Sequence, residues 1–161
     1  MTLQIPYIRC LVAVIACCLG LSPACAQRRL AIESQFDGSK PYYETATRVW
    51  VEGEELKPYK LTLYKSITVK DNPEAFAEME TAVMADTLYA LSKELGHIQG
   101  RLYYAFICLR NDTPHRQRPG RYRYVFYRNL SLRKGGSPEA TIVYMEGTTT
   151  MDGLKQLFKR K

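Results

Sequence analysis

The chain has 161 residues, a formal charge of +7, five cysteines and two histidines. That length suits one domain whose core can stand without disulfide staples. His97 and His115 fit no zinc-ligand spacing, no cysteine pair supports a metal site, and neither a phosphate-binding glycine loop nor a G-x-S-x-G elbow occurs.

The first segment reads as an address. Arg9 is the only charged side chain before Arg28, and Cys10–Leu21 is an uncharged apolar run. Ser22-Pro23 then breaks the run and Ala24-Cys-Ala26 follows. A basic start, a short apolar stretch and small residues at −3 and −1 are what a signal peptidase reads. The run is too short for a stable bilayer anchor, which takes about 20 residues. Residues 1–26 are therefore expected to be a signal peptide cut between Ala26 and Gln27, with 27–161 a single α+β domain. One alternative stays open: Val14-Ile-Ala-Cys17 resembles a lipobox, and acylation at Cys17 would make a lipoprotein.

Export changes the cysteine arithmetic. Cys10, Cys17, Cys18 and Cys25 leave with the signal, so the remaining Cys108 has no internal partner. It lies in the apolar stretch Leu102–Leu109, which suits a small buried hydrophobe.

In chain order, Arg29–Phe36 is a short amphipathic opening and Asp37–Pro41 a turn. Thr45–Glu52 and Tyr59–Lys70 read as strands. In the second, Tyr59, Leu61, Leu63, Ile67 and Val69 alternate with more polar neighbours, and Lys65 marks a bulge or the strand's end. Asp71-Asn-Pro-Glu74 starts a helix, with a capping side chain and proline in the first turn. Its apolar stripe of Phe76, Met79, Val83, Leu88, Leu91 and Leu95 predicts a helix that runs towards Leu95 and stops at Gly96. Arg101–Leu109, Arg121–Leu132 and Ala140–Glu146 follow as strands, the last two joined as a hairpin across Arg133–Glu139. Thr149 or Thr150 caps a closing helix.

These elements predict an antiparallel sheet of about five strands, with one long central helix and a short C-terminal helix on one face. Leu61, Leu63, Phe106 and Val143 are the expected core.

The candidate chemistry is electrostatic. Between Arg110 and Lys134, eight basic residues face Asp112 alone. Arg116, Arg118, Arg121, Arg123 and Arg128 are the candidate anion-binding residues. Pleat alternation sets Arg121, Arg123 and Val125 on one face and Tyr122, Tyr124 and Phe126 on the other. In the cytoplasm such a stretch suggests nucleic acid. Export argues against that and towards lipid headgroups, lipopolysaccharide or acidic glycans. The structural alternative is a solvated edge hairpin whose arginines deter strand pairing, or one that faces the acidic helix 74–86.

Glu44, Glu52, Glu54 and Glu55 form an acidic edge, and a Cys108–His dyad is the other catalytic arrangement considered. No catalytic residue, cofactor or metal ligand is assigned. The expected function is an exported, non-enzymatic binding module of the periplasm, cell envelope or medium. A small hydrolase with an unrecognised site is the second class.

The stretches Leu56-Lys-Pro-Tyr-Lys-Leu-Thr-Leu-Tyr-Lys-Ser-Ile-Thr68, Ala85-Asp-Thr87, Gly96 and Ile142-Val-Tyr-Met-Glu-Gly147, followed by a short helix through Leu154 and Phe158, form a further pattern. It resembles small exported Bacteroidetes proteins that belong to a family of unknown function. The resemblance covers most of the chain after residue 26 and implies strand, turn and cap patterns without a catalytic signature.

Overall fold

The computed structural model describes residues 29–110 and 120–159. The signal segment, Cys17, Ala26, Gln27, Arg116, Arg118 and His115 lie outside the described residues.

Six strands form one antiparallel sheet: β1 (Thr47–Glu52), β2 (Leu61–Lys70), β3 (Ala90–Ile98), β4 (Arg101–Arg110), β5 (Tyr122–Asn129) and β6 (Glu139–Gly147). Their order is β1-β2-β6-β5-β4-β3. The fold is thus mixed α and β, with six strands rather than about five.

The long helix α1 spans Pro73–Asp86. Asn72 Oδ1 accepts the Ala75 N–H at 3.0 Å, and Pro73 fills a first-turn position that needs no N–H. The helix leaves β2, crosses one face of the sheet and delivers the chain to β3 at the far edge. Phe76, Met79 and Val83 bury there against Ile67, Ala105, Ile107, Val125 and Ile142.

The predicted extension to Leu95 is corrected. A single 3-10 turn over Thr87–Tyr89 follows Asp86, and Ala90–Ile98 is strand β3. Thr87 Oγ1 donates to the Met84 carbonyl at 2.7 Å, occupying one of the helix's last acceptors. The two-residue turn Gln99-Gly100, both with positive φ (51° and 78°), then pairs Ile98 with Arg101. β-Pairing with β4 outweighs the helical spacing of Leu88, Leu91 and Leu95.

The closing helix α2 (Met151–Lys159) is also placed differently from expectation. Its Leu154 packs with Leu56, Phe106, Cys108, Tyr124, Val143 and Met145. The strand residues among these alternate along their strands with the ones under α1, so the two helices cover opposite faces. Buried Tyr124 donates its hydroxyl to the Thr149 carbonyl and ties β5 to the start of α2.

Leu61, Phe106 and Val143 are buried as expected, whereas Leu63 is only half-buried. Between Leu61 and Leu63 the β2–β6 register shifts. The bulge sends Leu61 to the α2 face and Leu63 to the other, beside Tyr144 and Glu146. Lys65 therefore marks neither the bulge nor the strand's end. It stays paired with Tyr144, and its ammonium lies 3.6 Å from the Trp50 ring centroid. At the same end, Gly147 admits Lys60: a Cβ there would stand 2.3 Å from the Lys60 carbonyl oxygen.

Candidate functional site

The described arginines of the basic stretch do not share one surface. Arg121 sits at the mouth of β5, just before Tyr122, which pairs with Arg110 at the end of β4. Arg123 points to the α1 face, where its charge acts on Asp86 and Tyr144. Arg128 lies five residues further on, about 17 Å along the strand and on the opposite pleat. There it is exposed and donates to the Tyr103 hydroxyl at 3.5 Å. Burial pushes the Tyr103 hydroxyl up, but hydrogen bonds and charge from Arg128 and Arg133 outweigh it and hold the group below its usual value.

One end of the sheet combines basic and apolar groups. Ala90 pairs with Leu109, and Arg110 with Tyr122, so β3 begins where β4 ends and β5 starts. Arg121, just before β5, lies at this end. Beside it, Met84, Leu88, Tyr89 and Leu91 are exposed, Leu88 by 77%. Lys93 follows on the same edge strand and donates to the Thr87 carbonyl at 3.5 Å. Large apolar side chains clustered in sequence at a sheet edge mark an interaction surface more often than isolated ones do.

Sequence reasoning missed this apolar edge, since it placed Leu88 and Leu91 on the buried side of a helix. The signal that could have found it is Gln99-Gly100, which sits between Ile98 and Arg101 at the spacing of a tight hairpin.

The groups that would favour a hydrolase occupy separate places. His97 is exposed and pairs with Leu102, while Cys108 stands six residues along β4, about 20 Å away. Cys108 is buried; desolvation pushes its thiol up, with a smaller opposing effect from Ser92. Glu44, Glu52, Glu54 and Glu55 are all exposed. Glu52 accepts from the Trp50 indole at 2.8 Å and Glu54 pairs with Lys57 at 2.6 Å. Among the described residues, no group of three His, Cys, Asp or Glu side chains is placed to hold a metal. No helix among them is long and apolar enough to cross a membrane.

The sequence model of a family described as "Family of unknown function (DUF6108)" matches residues 19–158. No curated protein and no solved structure matches the chain.

Proposed function

We propose that this chain, which belongs to the DUF6108 family of unknown function, is an exported, non-enzymatic binding module that meets anionic lipid at the cell envelope. The observation that carries the reading is the shared sheet end of exposed Leu88, Tyr89 and Leu91 with Arg121, the residue before β5. Lipid surfaces reward both kinds of group: headgroup phosphates attract arginine, and the interface accepts apolar side chains. An acidic glycan rewards only the charge. The signal-like segment at Met1–Ala26 supports export, either by cleavage before Gln27 or by acylation at Cys17.

Co-sedimentation with phosphatidylglycerol vesicles, phosphatidylcholine vesicles and heparin beads tests the reading. Binding to the anionic vesicles is expected to weaken steeply with salt, to fall in Leu88→Ser and Leu91→Ser, and to fall again in Arg121→Glu. Heparin binding that ignores both leucine variants would reassign the surface to glycans. No vesicle binding at low salt would sink the proposal.

A further inference from the structure

The α2 face of the sheet carries a second feature, independent of the basic end. A groove of about 600 Å³ lies there, floored and walled by Tyr64, Tyr104, Phe106, Phe126, Val143 and Met145. That volume falls within the range of small-ligand sites, which are mostly apolar with a few polar groups that fix orientation. Glu94 and Lys155 supply the charged groups, ion-paired to each other across β3 and α2. Tyr104 and Phe126 meet edge-to-face, with centroids 5.6 Å apart. Such packing holds the rings in place and leaves carbon facing the groove.

The lining residues also give the groove a direction. Tyr64 belongs to β2, Val143 and Met145 to β6, Phe126 to β5, Tyr104 and Phe106 to β4, and Glu94 to β3. These five strands are consecutive in the sheet. Four interstrand steps of about 4.8 Å set the strands that bound the trough about 19 Å apart. The groove thus passes from aromatic and aliphatic lining over β2, β6, β5 and β4 to a charged pair at the β3 end, the arrangement of an amphiphile's two parts.

We infer that the trough binds the hydrocarbon tail of a single-chain amphiphile, with the polar head at the β3 end beside Glu94 and Lys155. The tail crosses β4, β5 and β6 towards Tyr64, displacing water from aromatic and aliphatic carbon. The head meets both signs of charge. Lys155 is already engaged by Glu94 and lies 3.9 Å from Asp152, so the local balance is acidic. A zwitterionic head therefore suits the site better than a bare carboxylate.

Displacement of fluorescent N-phenylnaphthylamine by dodecylphosphocholine, below its micelle concentration, tests the inference, with dodecanoate as the second ligand. Saturable one-to-one probe binding is expected, displaced by dodecylphosphocholine at lower concentration than by dodecanoate. Val143→Phe fills the floor and Tyr104→Ala removes a wall; each is expected to weaken binding about tenfold or more. Tyr104 is only half-buried, so its variant keeps the test decisive if Val143→Phe does not fold. Leu88→Ser lies outside the trough and leaves probe binding unchanged, which separates this result from the vesicle experiment. Non-saturable uptake, or equal affinity in wild type and both trough variants, overturns the inference. Equal displacement by dodecanoate overturns the placement of the head.

Discussion

Asp86 fastens the end of α1 to Ala31: its carboxylate accepts the Ala31 N–H at 2.8 Å and, through the second oxygen, the Ile32 N–H at 3.1 Å. The residue is 2% exposed. Burial pushes its pKa above the usual aspartate value, although the two N–H groups and Arg123 pull it down. The folded chain therefore holds this proton more tightly than the unfolded chain does. Asp86's titration thus contributes most to stability below the unfolded carboxyl value of about 4. That contribution falls as pH rises towards the higher folded value and stays constant beyond it. Urea unfolding of wild type and Asp86→Asn across this range should show wild type losing ground relative to the variant as pH rises. A difference moving the other way would mean the folded carboxyl is not raised. Asp86→Ala leaves both N–H groups without this acceptor and should cost about 2–4 kcal/mol at neutral pH.

The bulge in β2 predicts unequal costs at two leucines that look equivalent in sequence. Leu61→Ala and Phe106→Ala open the buried cluster under α2 and should destabilise by about 2–4 and 3–5 kcal/mol respectively. Leu63→Ala trims a half-buried side chain and should cost about 1 kcal/mol. Thermal or urea melts measure all three. A Phe106→Ala cost below about 1 kcal/mol would contradict its place in that cluster.

Cys108 should behave as a packing residue. Its thiol is buried and its pKa raised, so little thiolate exists near neutrality. Iodoacetamide labelling at pH 8 should be slower by about tenfold or more in the native protein than in urea. Fast native labelling would reopen a nucleophilic role.

Several elements were legible because their determinants are local. Asn72-Pro73 announces the start of α1 through a cap and a proline whose absent N–H costs nothing there. Ile67 and Val69 share a face because strand pleating has period two. The cut of α1 after Asp86 was not legible, since Leu88, Leu91 and Leu95 fit a helical stripe, although Leu88 lies in the turn and only Leu91 and Leu95 in β3. The alternating faces of Arg123 and Tyr124 were readable, yet the separation of Arg123 from Arg128 depends on what packs over each face.

By itself the sequence determined the signal-like start, the mixed α and β class, the single cysteine beyond that start and the alternation of faces along β5. These follow from composition and from contacts within a few residues. Only the tertiary structure decided the sixth strand, the placement of α1 and α2 on opposite faces, and the apolar trough across five strands. Each of those depends on partners distant in the chain: Ala90 with Leu109, Tyr124 with Thr149, Glu94 with Lys155. A local pattern fixes which side chains share a face; long-range pairing fixes what that face meets.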